Sequence, residues 1–176
     1  MVFERELVIS DLGLVRRAVG GDAAAFADLV SEHETELVRL CFVITGDAQL
    51  AAEAVQNAWQ HAWQRRSQLR NVDRFRTWIV AIAANDARMV MRHERRRETQ
   101  ERSLDEARLT NEAPSSDTNL ADAMATLSPT DRQLLALRYV AGYNSGEIGK
   151  VLGLTGSGAR TRLAKAIANL RKELRS

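Results

Sequence analysis

NSGEIGKVLGLTGSGARTRLAKAI, residues 144–167, holds two short helical signatures separated by a glycine. Asn144 with Glu147 three residues on is a capping-box start, because each side chain can satisfy a backbone N–H that the first turn leaves free. Ile148, Val151 and Leu152 recur at helical spacing, and Gly153 supplies the stop. Thr155 opens a second helix whose apolar set is Ala159, Leu163, Ala166, Ile167 and, just beyond the stretch, Leu170. The remaining face near its start carries Ser157, Gly158, Arg160, Thr161, Arg162 and Lys165, which are short, polar or cationic. This is the spacing of a helix-turn-helix, a motif whose second helix can enter the major groove of DNA. A plain helical hairpin with a charged outer face has the same spacing, and that alternative stays open here.

Working outward, Ser128-Pro129-Thr130-Asp131 reads as another helix start, with a serine cap, proline in the first position and an acid in the first turn. Leu134, Leu135, Leu137 and Val140 give that helix its apolar face, and Gly142 ends it. Residues 99–119 are polar and acidic, contain Pro114-Ser115-Ser116 and show little apolar periodicity, so they read as a flexible interdomain linker. A second helical group precedes it. Gly20-Gly21 reads as a turn with Asp22 capping the next helix. In that helix Phe26, Leu29, Val30, Leu37, Leu40, Cys41 and Ile44 form one buried stripe. A helix over about 49–66 turns Leu50, Ala54, Ala58 and Trp59 or Ala62 inward. The next takes Asp73 as its N-cap, carries Phe75, Trp78, Ile79, Ile82 and Met89, and dissolves into the cationic run 93–97. The expected fold is all-α, with helical domains over 11–98 and 120–176 and the helix-turn-helix in the second.

Composition agrees. Two prolines, 5% aromatic residues and no sustained alternation of period two favour helix throughout, and 45% apolar residues in 176 suffice for a packed core. One cysteine can make neither an internal disulfide nor a multi-cysteine metal site, which suits a reducing compartment. Cys41 sits in an apolar stripe with no cation or histidine beside it, the setting of a core residue rather than a nucleophile. No apolar run approaches a membrane span, and the start MVFERELVISD lacks the basic and apolar regions of a signal peptide, so a soluble, cytoplasmic protein is expected. The net charge of +2 hides an alternation of −6 over residues 1–64, +6 over 65–102, −5 over 103–131 and +7 over 132–176. Two basic blocks of that size would attract a polyanion at two places, in a salt-dependent way. Solvated helix faces are the other reading of the same charges.

The residues Leu127-Ser128-Pro129, Arg138-Tyr139, Gly142, Glu147-Ile148, Leu152-Gly153-Leu154, Arg160 to Ala166 and Leu170-Arg171 resemble the carboxy-terminal domain of extracytoplasmic-function (group IV) sigma factors of bacterial RNA polymerase. Upstream, Glu53-Ala54-Val55-Gln56 resembles the acid-x-x-Gln helix with which that family binds polymerase. Phe75 to Ile79 and Ile82 to Asn85, followed by Arg92 to Arg97, resemble its promoter-melting helix. The resemblance implies a transcription initiation factor that binds core RNA polymerase, directs it to specific promoters and assists strand opening. It implies that Glu53, Gln56 and Gln60 meet the coiled-coil clamp of the polymerase's largest subunit. Residues 67–74 would hold a base flipped from the minus-ten element, with Arg74, Arg76, Trp78, Asn85, Arg88 and Arg92 as its contacts. Arg95, Arg96 and Arg97 would neutralise phosphate, while Ser157, Arg160, Thr161, Arg162 and Lys165 would read the minus-thirty-five element. The implied partners are core RNA polymerase, promoter DNA and an anti-sigma factor, with no membrane insertion. A conventional helix-turn-helix regulator, or a sigma-like interaction protein that binds without initiating, are the alternatives.

Several positions depart from the family pattern. Val80 and Ala81 stand where an aromatic and an arginine are usual, Glu53 stands for the commoner Asp, and Ser145, Gly149 and Gly158 replace Tyr, Ala and Thr. Gly156 adds another glycine, and each interior glycine is expected to weaken its helix by roughly 1 kcal/mol relative to alanine. No enzymatic chemistry is expected. His33, His61 and His93 are far apart, no His-Glu-x-x-His pattern occurs, and Gly20-Gly21 lacks the Lys-Ser or Lys-Thr of a phosphate loop, so no catalytic residue, metal or cofactor is assigned.

Overall fold

The computed structural model describes residues 12–104 and 120–175, and every regular element among them is helical. The described part of α1 covers 12–19. It is followed by α2 (Ala23–Thr45), α3 (Ala48–Arg65), 3-10 turns at Arg66–Gln68 and Val72–Arg74, α4 (Phe75–Leu104), α5 (Leu120–Thr126), α6 (Pro129–Tyr139), α7 (Ser145–Leu152) and α8 (Gly156–Glu173). The amino-terminal stretch 1–11 and most of the expected linker, 105–119, lie outside the described residues.

The helix boundaries follow from short polar side chains. Asp22 Oδ1 accepts from the N–H groups of Ala24 and Ala25 at 3.0 and 3.1 Å, and Asp47 Oδ1 accepts from Gln49 and Leu50, both at 2.8 Å. Ser128 Oγ takes the Asp131 N–H at 3.1 Å, with Pro129 in the first turn. These are the orphan donors that any helix start must satisfy. One expected cap is corrected: Asn71, not Asp73, supplies the acceptor before α4, its Oδ1 taking the Asp73 N–H at 2.9 Å and closing a 3-10 turn from which α4 departs.

α4 also continues to Leu104 instead of dissolving near residue 97. Arg, Glu and Gln are good helix formers. Arg97 pairs with Glu94 one turn back at 3.3 Å, and Thr99 Oγ1 donates to the Arg95 carbonyl at 2.7 Å, so the polar run is solvated helix rather than a break. Within α4 the expected core residue Met89 is exposed. Ala83, Ala84, Ala87, Val90 and Met91 are buried instead, because a three- and four-residue step from Ile79 and Val80 passes through those positions and misses 89.

α2, α3 and α4 pack on one another, α7 and α6 pack on α8, and α6 packs in addition on α2 and α4. The buried side chains therefore form one connected core from Val15 in α1 to Ala166 in α8. Residues 132–137 are buried without interruption, as expected of a helix enclosed on all sides.

Candidate functional site

The helix-turn-helix is built by its caps. Asn144 Oδ1 accepts from Gly146 and Glu147 at 2.9 and 3.1 Å while Glu147 Oε2 returns to the Asn144 N–H at 2.8 Å, a complete capping box. α7 ends at Gly153, whose φ of 67° is the left-handed conformation that glycine adopts freely. Thr155 Oγ1 then takes the Gly158 N–H at 3.0 Å to start α8. Ala159, Leu163 and Ala166 face the core. Ser157, Arg160, Thr161, Arg162 and Lys165 are all exposed on the first three turns of α8. Thr161 Oγ1 donates to the Ser157 carbonyl at 3.1 Å, which leaves the hydroxyl's acceptor side facing outward. Gly156 and Gly158 do not interrupt the helix. A Cβ on Gly158 would stand 3.0 Å from the capping Thr155 oxygen, so the missing side chain makes room for the cap.

A second exposed face lies on α3, where Glu53, Gln56 and Gln60 fall at i, i+3 and i+7 on one side while Ala54, Val55, Ala58 and Trp59 are buried on the other. A third lies on α4. Asn85, Arg88, Arg92 and Arg95 follow one another at steps of three and four, Asn85 half-buried and the arginines exposed. Arg88, Arg92 and Arg95 line a groove whose opposite wall is Pro129 and Thr130 at the start of α6. Arg74 is exposed at the end of the loop before α4, and Trp78 is half-buried with its ring 6.1 Å from that of the buried Phe75. The structure thus gathers the α4 residues into one row and keeps the α3 and α8 faces separate from it.

Arg76 has a different setting from its α4 neighbours. Its guanidinium makes a two-point contact with Glu36 of α2, donates to the Ala141 carbonyl at 3.0 Å and lies 5.7 Å from the Tyr143 ring centre. The Tyr143 hydroxyl in turn reaches the Arg76 carbonyl at 3.5 Å, and burial pushes that phenol above its usual pKa. Sequence reasoning missed this bridge and the pair beside it. Arg132 donates from Nη1 to the Thr45 carbonyl at 3.2 Å and from Nη2 to Met91 Sδ at 3.8 Å. Gln133 Nε2 donates to the Ala84 carbonyl at 2.8 Å. Gly46 makes room for the arginine, since a Cβ there would stand 3.0 Å from Nη1. Burial, then the nearby Arg95, lowers the Arg132 pKa. The one available signal is the run Gln133 to Leu137 after an arginine: four apolar residues in five are too many for a helix buried on one side only.

Cys41 is fully buried, donates its thiol to the Ala83 carbonyl at 3.6 Å, and is pushed up to about 12 by burial and then by Asp86 and Glu34. Such a thiol carries no thiolate near neutral pH. His61 Nδ1 meets Asp86 at 2.9 Å across α3 and α4, and no group of metal-ligating side chains occurs among the described residues. No helix among them is long and apolar enough to cross a membrane.

Residues 29–97 match sigma-70 region 2 and residues 123–172 match sigma-70 region 4, together about two thirds of the chain. The chain belongs to the sigma-70 family. It is similar to the RNA polymerase sigma factor CarQ of Myxococcus xanthus, 28% identical over 159 residues that cover 88% of this chain and 91% of CarQ. The ECF RNA polymerase sigma factor SigL of Mycobacterium tuberculosis is 28% identical over 172 residues, 91% of this chain and 94% of SigL. Among solved structures, CnrH in complex with the cytosolic domain of CnrY superposes with a TM-score of 0.69 at 24% identity, over 93% of this chain and 96% of CnrH. The sigma factor RpoE in complex with the anti-sigma factor NepR from Bartonella quintana superposes with a TM-score of 0.64 at 20% identity, over 84% of this chain and 97% of RpoE. These two likenesses establish the shared fold. This extracytoplasmic-function sigma factor directs RNA polymerase to promoters, and its α3 and α4 faces lie in region 2 while its helix-turn-helix lies in region 4.

Proposed function

We propose that this sigma factor belongs to group IV, acts in the cytoplasm and contributes no catalytic step, dividing its work among three faces. Glu53, Gln56 and Gln60 on α3 dock on core RNA polymerase. Arg74, Arg76, Trp78, Asn85, Arg88 and Arg92 hold the minus-ten element and assist strand opening. Ser157, Arg160, Thr161, Arg162 and Lys165 enter the major groove at the minus-thirty-five element, where arginine is suited to guanine and lysine to phosphate. The working units are 11–98 and 120–176, joined through 99–119. The observation that carries this assignment is the exposure of all five α8 residues on the three turns that follow the Thr155 cap, in a chain whose halves match regions 2 and 4.

An anti-sigma factor is proposed as a further partner, supported by the complexes in which the two solved relatives occur. Run-off transcription with purified core polymerase tests the central reading. A sigma factor yields promoter-specific transcripts by itself. A conventional regulator yields none until another sigma factor is added, and an interaction protein binds core without starting synthesis.

A further inference from the structure

An aromatic chain between α2 and α3 ends on a cation. Phe26 of α2 meets Trp59 edge-on at 5.7 Å and Trp63 at 5.0 Å between ring centres, and the Arg66 guanidinium lies 4.2 Å from the centre of the Trp63 ring. Arg66 Nη1 also donates to the Trp63 carbonyl at 2.7 Å, one of the acceptors that the carboxyl end of α3 leaves free. A planar guanidinium can do both at once, its face stacking while its edge donates, whereas an ammonium group is a point charge that must serve one or the other. The same guanidinium reaches the turn between α1 and α2: a Cβ on Gly21, whose φ is +99°, would stand 3.6 Å from Nη2.

This clasp stands where the chain leaves α3 for the loop that precedes α4. Arg66 is the first residue of the 3-10 turn Arg66–Gln68, and its carbonyl takes the Leu69 N–H at 3.2 Å. Leu69 is buried, while Ser67, Gln68, Arg70 and Asn71 around it are exposed. The far end of the loop is fixed by the Asn71 cap and the buried Phe75. A pocket for an unstacked base gains affinity when its walls are ordered beforehand, because a loop that must order on binding gives up part of the interaction. With its ring-stacked face and one Nη both committed to Trp63, Arg66 is placed to act on DNA through the loop rather than by touching it.

We propose that Arg66 is a positioning residue for strand opening: stacked on Trp63 and bonded to its carbonyl, it fixes the exit of the loop 67–74 from α3 and so sets the shape of the pocket that takes a flipped base. The inference rests on the reading in which 67–74 hold a base of the minus-ten element, and adds to it the group that orders that loop.

The test uses the full chain bound to core polymerase and a promoter from which the two yield run-off transcripts. The probe is the non-template strand across its minus-ten element, a fluorescent single-stranded oligonucleotide with one abasic site moved through each position in turn. The parent chain is expected to bind the intact strand about tenfold more tightly than the strand abasic at the flipped position. Arg66→Ala and Arg66→Lys are both expected to bring that ratio below about threefold, with affinity for core polymerase unchanged. Partial unfolding alone would lower the intact and abasic affinities together and leave their ratio as it was. A ratio kept by either variant overturns the proposal, and recovery by Arg66→Lys alone would show that the charge acts on phosphate instead. If circular dichroism shows Arg66→Ala unfolded, Arg66→Lys decides. A parent chain with no abasic-sensitive position overturns the base-holding reading of 67–74, absence of run-off transcripts overturns the sigma reading itself, and either result removes the positioning role as well.

Discussion

Leu154 donates its N–H to the Gly149 carbonyl at 2.7 Å, and a Cβ on Gly149 would stand 2.7 Å from the Leu154 carbonyl oxygen. The turn of the helix-turn-helix is thus folded directly onto the last turn of α7, and the atom in the way is main chain, which cannot swing aside. Two effects oppose each other in Gly149→Ala. Helix propensity favours alanine by about 1 kcal/mol, while displacing a packed backbone costs about 1–3 kcal/mol. The expected outcome is a net loss of about 1 kcal/mol, read as a lower urea midpoint at unchanged slope. A gain in stability would show that the turn relaxes freely.

That glycine marks where sequence reading stops. The caps at Asp22, Ser128, Asn144 and Thr155 were legible because a single side chain and the next three residues determine them. The apolar stripe of α2 and the exposed faces of α3 and α8 followed from period alone. The burial of Arg132 and Gln133 did not, since it depends on region 2 covering a second side of α6, a contact between residues more than forty positions apart. Gly149 was hidden by a local cause: an alanine there is a better helix former until the turn at Leu154 and Thr155 comes back over it. For Asn71 and Asp73, two acceptors two residues apart compete for one cap, and local sequence does not rank them.

Cys41 gives a prediction with a definite sign. Its folded pKa of about 12 lies above the ordinary 9.0, so the folded state holds the proton more tightly than the unfolded chain does. The stabilisation is fully present below the unfolded pKa and is lost as pH rises through the interval from 9.0 to about 12. Stability should fall by up to about 1.4 kcal/mol per pH unit there. Urea unfolding at pH 8 and pH 10.5 should show a smaller pH dependence for Cys41→Ala than for the parent chain. Identical pH dependences would contradict the assignment. The thiol should also resist alkylation in the native state and react once unfolded.

Arg160 and Gln56 provide a reciprocal pair. Both are exposed and neither side chain holds a core contact, so alanine at either should leave folding intact. Arg160→Ala is expected to reduce duplex promoter binding by about 1–3 kcal/mol with core polymerase affinity unchanged. Gln56→Ala is expected to reduce polymerase affinity with DNA binding unchanged. Co-sedimentation with core and gel-shift titration read the two separately, and a shared defect in both variants would remove the division of roles.

Arg88 and Arg92 differ from Arg160 in what they can recognise. They lie one turn apart on the exposed face of α4, beside Arg95, a cationic row suited to phosphate rather than base edges. Phosphate contacts act through counterion release, so each is measured by the slope of log affinity against log salt. Arg88→Ala and Arg92→Ala should each lower that slope by about 0.7 on a single strand or about 0.9 on duplex, and by nearly additive amounts in combination, with no change in sequence preference. Alanine at Arg160 should instead relax preference at one position of the minus-thirty-five element, because the role proposed for that side chain is to discriminate between bases. A change of preference from Arg88→Ala with an unaltered salt slope would place that arginine on a base and reverse its role.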